Sequence, residues 1–355
     1  MKMKNHLFAI LSIVSISMAS QAVAQEKETE SAPLTISGSL DTYFRGSTLK
    51  QAPGTSFANL QGFSMGMVNL IGTYEKGKTG AVLDLVYGPR GVEAAFGTNL
   101  TGQSIVNQMY AYYNVSDKVT LTIGQWNTYL GYEVISPVGN VNYSTSYMFS
   151  WGPFSQAGIK ADIALSDKIG LTLAFMNPTD VLETNFVPGS PENYTAGVQI
   201  SYTTDAAGVY LNTRYGDASG KLFQVDLTGG YDFSDAVYLG FNATTLDDDG
   251  SGFSGVALYP KLTLSDAFAV GLRGEYFMMK SGYLVAADSS SPVAYDADGD
   301  GNVMAFTLSG NYSVGNLTLI PEFRMDMQSE EWYLDKDGGP TKSLNSFLLA
   351  AVYSF

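Results

Sequence analysis

Phe347-Leu348-Leu349-Ala350-Ala351-Val352-Tyr353-Ser354-Phe355 ends the sequence, and its reading decides how the rest is read. Phe347, Leu349, Ala351, Tyr353 and Phe355 share one parity and would line one face of a strand. Ser346, Leu348, Ala350, Val352 and Ser354 line the other, which is smaller and only partly polar. These residues alone fit either a core strand that happens to be last or a strand facing lipid.

Alternation of this kind recurs along the chain. Ile36, Leu40, Thr42 and Phe44 alternate with Ser37, Ser39, Asp41 and Tyr43. Tyr194, Ala196, Val198, Ile200 and Tyr202 alternate with Thr195, Gly197, Gln199 and Ser201. The turns between such stretches repeat a chemistry: Ser116-Asp117-Lys118, Ser166-Asp167-Lys168, Ser234-Asp235-Ala236 and Ser265-Asp266-Ala267. Gly77-Lys78-Thr79, Asp205-Ala206-Ala207 and Val314-Gly315-Asn316 fill equivalent places. Longer connections fall between them at 46–62, 89–104, 129–156, 177–192, 216–221, 246–252, 279–301 and 329–344. Seven short turns alternating with eight longer connections join about sixteen strands, an even number within the range of membrane barrels.

The fold expected is therefore all-β: a transmembrane antiparallel up-and-down barrel with short periplasmic turns and longer extracellular loops. A soluble sandwich or propeller leaves the turn asymmetry and the aromatic strand ends unexplained. Pro321 fits poorly, because it removes a ladder donor in mid-strand and suggests a bulge or a misplaced strand.

The other end of the chain agrees. Met1-Lys2-Met3-Lys4 is basic, Leu7 to Met18 is apolar apart from serines, and Ala22-Val23-Ala24 is a small-x-small site. Residues 1–24 read as a cleaved signal peptide, leaving 25–355 as one barrel domain. No later run reaches the length of a membrane helix, so any crossing is made with strands.

Composition narrows the chemistry. Charged residues are 15%, below the usual quarter of a soluble domain. The net charge of −15 becomes −17 without Lys2 and Lys4, which argues against nucleic acid as a partner. There is no cysteine, and the single histidine, His6, lies in the leader. Ser-His catalysis, His general bases and His-ligated zinc are excluded from the mature chain. No enzyme activity and no cofactor are expected.

On the parity opposite the apolar face lie Asp41, Arg45, Asp84, Lys160, Asp162, Arg214, Asp226, Lys261, Arg273, Glu275, Glu322, Arg324 and Asp326. These pore-lining candidates are seven acids and six bases, a nearly neutral wall in an acidic chain. Pairs two apart, Lys160 with Asp162, Arg273 with Glu275, and Arg324 with Glu322 and Asp326, can satisfy one another. They are either solvated lumen polarity or a transverse field orienting polar solutes. Asp296, Asp298 and Asp300 have the spacing that opens a calcium loop, but the twelfth position is Thr307 rather than Glu. The alternative is an acidic solvated loop.

The connection 129–156 is too aromatic for a surface loop, since Tyr129, Tyr132, Tyr143, Tyr147, Phe149, Trp151 and Phe154 all need packing. Folding inward would bury them and narrow the barrel. Gly131-Tyr132-Glu133 through Ser136-Pro137, then Asn140, Asn142-Tyr143-Ser144 and Gly152-Pro153-Phe154, resembles the hallmark segment of the OmpL-like outer-membrane β-barrel porin family. Tyr353 and Phe355 likewise resemble the end of an outer-membrane targeting strand.

The resemblance implies a porin in the outer membrane of a Gram-negative bacterium, passing small hydrophilic solutes by passive diffusion. It implies outer-membrane lipids and the barrel-assembly machinery as partners, and it allows a homo-oligomer. It makes Glu133, Asn140, Asn142 and Tyr143 the constriction-loop candidates. The loop departs from the general-porin pattern in having one acid, Glu133, which puts strong charge selection at the eyelet in doubt. The competing readings are a non-conducting structural or adhesive barrel and, against the missing histidine, a membrane enzyme.

Overall fold

In the computed structural model the described residues are 33–49, 57–94, 105–181, 194–216, 221–286 and 291–355. The expected leader, 1–24, and parts of several longer connections lie outside them. The strands are β1 (Leu34–Ser47), β2 (Gly62–Lys76), β3 (Thr79–Tyr87), β4 (Val106–Ser116), β5 (Val119–Asn127) and β6 (Ser155–Ala164). Then come β7 (Ile169–Met176), β8 (Thr195–Thr203), β9 (Ala207–Gly216), β10 (Leu222–Asp232), β11 (Val237–Asp248) and β12 (Ser251–Ser265). The series ends with β13 (Phe268–Lys280), β14 (Gly301–Val314), β15 (Leu317–Gln328), a small hairpin β16 (Tyr333–Leu334) and β17 (Pro340–Thr341), and β18 (Ser343–Ser354). Two short helices, α1 (Pro89–Ala94) and α2 (Tyr147–Trp151), lie in connections.

All strands except β16 and β17 form one closed antiparallel barrel of sixteen, each paired with its neighbour in sequence order. β1 closes it against β18, with Leu40 opposite Tyr353 and Phe44 opposite Leu349. Gly38 and Phe355 exchange both backbone hydrogen bonds at 3.0 Å, so the closing ladder runs to the last residue. Closure leaves no unpaired strand edge, the condition for a sheet in hydrocarbon. Among the described residues no helix is long and apolar enough to cross a membrane.

Burial is inverted relative to a soluble protein. Phe347, Leu349, Tyr353 and Phe355 are exposed, while Leu348, Ala350 and Val352 are buried inside the barrel. The apolar parity therefore faces outward, as a lipid solvent requires. The Ser-Asp turns have a local cause: the hydroxyls of Ser116, Ser166, Ser234 and Ser265 accept the amides of Lys118, Lys168, Ala236 and Ala267 at 3.3 Å. Each serine replaces the hydrogen bond that the ladder loses where the chain reverses.

Two expectations need correction. The connection 246–252 is not a longer loop: β11 runs to Asp248 and β12 starts at Ser251, leaving Asp249 and Gly250 as a tight turn. Their φ angles of 53° and 94° match the positive-φ pair of a two-residue hairpin. Pro321 lies within β15, opposite Leu349 and exposed on the lipid face. The register with β14 is the same on both sides of it, Ser309 with Glu322 and Tyr312 with Leu319, so it marks no bulge. The ladder omits the intervening rungs and resumes in step.

A true bulge occurs in β2. The pairing shifts between Leu40 and Thr42, leaving Gly66 and Met67 both buried inside. Asp41 accepts the Met67 amide at 3.1 Å.

The tight turn yields a test. Gly250→Val places a branched side chain at φ 94° and should cost about 1–2 kcal/mol. Gly250→Asn should be close to neutral. Urea midpoints of the refolded barrel, read by heat-modifiable gel migration, check the difference.

Candidate functional site: a loop across the lumen

Between β5 and β6, residues 128–154 leave the wall and cross the inside of the barrel. The Thr128 amide donates to the Phe154 carbonyl at 2.9 Å, closing the neck of this crossover loop. Tyr129 Oη donates to the Thr213 carbonyl of β9 at 2.9 Å. The Gly131 amide donates to Asp226 of β10 at 2.9 Å. Tyr132 stacks on Tyr259 of β12 with ring centroids 4.2 Å apart. A 3-10 turn follows at Pro137–Gly139. Asn142 donates to Ser309 Oγ of β14 at 2.7 Å, and Asn311 Nδ2 to the Val141 carbonyl at 3.0 Å.

The segment 143–148 is held by charge. Tyr143 and Ser144 amides donate to Glu322 at 2.7 and 3.1 Å. Tyr147 and Met148 amides donate to Glu275 at 2.9 and 2.8 Å. The Ser144 and Thr145 carbonyls accept from Arg273 at 2.6 and 3.2 Å, and Thr145 also from Arg324 at 2.7 Å. Acidic wall residues take the loop's N–H groups and basic ones its carbonyls. A backbone brought inside a barrel must have its polar groups satisfied, and these charge-assisted bonds do so.

Glu133, the loop's one acid, pairs with Arg273 at 2.7 Å and accepts the Ser146 amide at 2.9 Å. Both side chains of the pair are almost wholly buried. Tyr143 Oη donates to Asp41, the residue that also holds the β2 bulge. A side chain on Gly66 would collide with that carboxylate, its Cβ falling 1.5 Å from Asp41 Oδ2, so the contact requires glycine. Burial pushes the phenols of Tyr129, Tyr132, Tyr143 and Tyr147 above the ordinary tyrosine range, so all stay protonated, and the first three donate hydrogen bonds.

The wall charges read from the sequence all lie on the inner parity, and the loop divides them. Asp41, Asp226, Arg273, Glu275, Glu322 and Arg324 contact it. Asp84 instead accepts from Asn69, Asn107 and Gln108. Lys160 pairs with Asp162 at 2.6 Å, Arg214 donates to Gln224 at 2.7 Å, and Lys261 lies in the field of Asp232. Arg45 donates to the Asn59 carbonyl at 2.6 Å, and Asp326 pairs with Arg324 at 2.8 Å.

Two of the expected local pairings do not form. Arg273 bonds Glu133 rather than Glu275, and Glu322 takes loop amides rather than Arg324. Side chains two apart on a strand are ordinarily neighbours, but the loop offers partners directly above them. Of the loop aromatics, Trp151 remains exposed at 37%, since it ends α2 outside the packed clusters.

Among the constriction candidates, Asn140 braces the loop itself. Its side chain accepts the Val134 amide at 2.9 Å and donates to the Val134 carbonyl at 2.6 Å. Ser144, quoted in the family-like segment but not among the constriction candidates, faces a gap beside the loop. That gap is narrow, a cavity of about 10 Å³, and Arg45, Asn59, Arg324, Ser346 and Leu348 also line it.

The acidic stretch at 296–300 folds on itself: Asp296 accepts the amides of Asp298 and Asp300 at 2.9 and 3.0 Å. Among the described residues no group of three or more acidic side chains is placed to hold a metal ion.

The sequence model of the family described as "Putative beta-barrel porin-2, OmpL-like" matches residues 33–355. No curated protein matches the chain. Similar solved structures include the anion-selective porin from Comamonas acidovorans, at 12% identity and TM-score 0.59, covering 91% of this chain and 99% of that one. In-vitro folded OmpT, an outer membrane protein of Vibrio cholerae, has 12% identity and TM-score 0.54, with 92% and 99% covered. A mutant of Rh. blastica porin has 14% identity and TM-score 0.53, with 91% and 100% covered. At these identities the likeness is one of fold.

The buried pair makes a prediction. Arg273→Met strands the Glu133 carboxylate and should cost about 3–5 kcal/mol, whereas adding Glu133→Gln should recover most of the loss. Urea unfolding of the two variants beside wild type checks the sign of the coupling.

Proposed function

As a member of the OmpL-like β-barrel porin family the chain is an outer-membrane porin, and we propose that its crossover loop sets the constriction for passive diffusion. One observation carries this reading: a loop with a single acid is hydrogen-bonded through its backbone to charged residues of β13 and β15, deep inside the barrel. On this reading solutes pass beside the loop, along the narrow gap between Ser144 and the β1–β18–β15 wall, which widens to admit them. Glu133, Asn142 and Tyr143 hold the loop across the lumen, and Asn140 stiffens it.

The gap is lined by Arg45 and Arg324 together with Glu322 and Asp326, so both signs of charge meet a passing solute. Such a lining suits small hydrophilic molecules and favours neither ion strongly. The channel works without cofactor or catalytic step, consistent with a mature chain that has no histidine and no cysteine.

Its lipid-facing aromatics meet outer-membrane lipids, and Tyr353 and Phe355 present the last strand to the assembly machinery. A trimer form is recorded for OmpT of Vibrio cholerae; we carry association between copies to this chain as part of the same proposal.

A second reading, a barrel plugged at rest, is favoured by the loop's reach. It touches β9, β10, β12, β13, β14, β15 and β1, an arc spanning nine of the sixteen barrel strands. Planar-bilayer conductance of the refolded mature chain separates the two. Small steady steps from wild type, and larger ones after deletion of residues 134–143, are expected. A silent, folded wild type beside a conducting deletion establishes the plug. A reversal potential near zero in a KCl gradient fits the mixed lining; a clear cation preference assigns selection to the acidic loops instead.

A further inference from the structure

Arg90 was not among the wall charges, because it stands on α1, in the connection after β3. It is nonetheless buried, at 3% exposure. Its helix is pinned to the β2 bulge. Gly88, at φ 90°, lies so close that an added Cβ would sit 2.7 Å from the Gly66 carbonyl, and a Cβ on Gly91 would sit 3.0 Å from Val86. That seat directs the guanidinium at the crossover loop. Arg90 Nε donates to the Ile135 carbonyl at 2.8 Å and Nη1 to the Tyr143 carbonyl at 3.1 Å. Its Cζ lies 4.7 Å from the centre of the Phe57 ring and 5.1 Å from that of Tyr143.

Ile135 and Tyr143 flank the turn at Pro137–Gly139. One guanidinium therefore ties together the outgoing and returning legs of the lobe 134–143, which ends beside Ser144 at the gap. The other cations on the loop, Arg273 and Arg324, stand on strands and are neutralised by Glu133 and Asp326. Among the described residues Arg90 makes no close ion pair, the Asp41 carboxylate acts on it at longer range, and its Nη2 is buried without a hydrogen-bond partner. Two carbonyls, two ring faces and the Asp41 carboxylate at longer range hold it, without the close ion pair that fixes Arg273 and Arg324.

We propose that Arg90 is the positioning residue of the constriction: it holds the lobe 134–143 at the depth that sets the width of the gap. The role needs the planar fork of an arginine, because an ammonium has donors for the carbonyls but no plane to stack between two rings. The proposal rests on the crossover loop being the constriction.

The absence of cysteine from the chain makes the test direct. Ile135→Cys places a lone thiol at a buried loop position, and a membrane-impermeant maleimide reads its accessibility. In that background Arg90→Met and Arg90→Lys should each speed labelling at least about tenfold, as expected when local opening no longer limits access. The same variants should raise single-channel conductance about twofold by widening the gap. Rates equal to that of the Arg90 parent in either folded variant overturn the proposal. Arg90→Lys keeps the charge and provides the decisive comparison if Arg90→Met does not fold. Labelling reports the loop even in a barrel that passes no current. Silence of both wild type and the 134–143 deletion therefore counts against the channel reading, while the labelling rates still decide the role of Arg90.

Discussion

The structure depends on satisfying backbone polar groups where water cannot. On the outside, lipid leaves the strands no alternative but a closed ladder, and β18 meets β1 through to Gly38 and Phe355 to complete it. On the inside, the crossover loop faces the same requirement without a ladder to join. Its segment 143–148 meets it through Glu275, Glu322, Arg273 and Arg324, which stand on the wall with their charges already aimed inward.

This explains a pairing of features otherwise unrelated: a wall rich in both signs of charge, and a loop almost without charge. Side chains on the loop bearing the opposite sign would compete with its own backbone for the wall. Serine, threonine and aromatic residues leave the amides and carbonyls as the complement. Glu133 is the exception, and it fits because Arg273 has donors to spare for it and for two carbonyls. The aromatics then fill the remaining space, as in the ring cluster of Phe57, Phe149 and Phe154, whose ring pairs contribute about 0.5–1.5 kcal/mol each beyond their burial.

Around this clamp the upper barrel is arranged as a set of supports. The β2 bulge turns Gly66 and Met67 inward, Asp41 secures the bulge and the Tyr143 hydroxyl, and α1 rests on the same bulge to deliver Arg90. A local irregularity in one strand thus supports both the floor and the side of the loop. The gap beside the loop lies along β18, whose inner face of Ser346 and Leu348 offers the loop no charge to grip.

The sequence by itself determined the barrel: strand parity, Ser-Asp turns, the even strand number and the terminal strand are local patterns, and each strand needs only its neighbours. The inward set of charges was legible for the same reason, since parity assigns a face. It also showed that residues 129–156 must fold inward, because so many rings cannot remain in water. Only the tertiary structure decided what those charges bind. Arg273 chose Glu133, 140 residues away, over Glu275 two residues away, because the loop comes to lie above it. Arg90 and Gly66 carried no signal in the alternation, since one stands in a connection and the other in a bulge that breaks the period. Their roles come from the approach of segments distant in sequence, which no local pattern encodes.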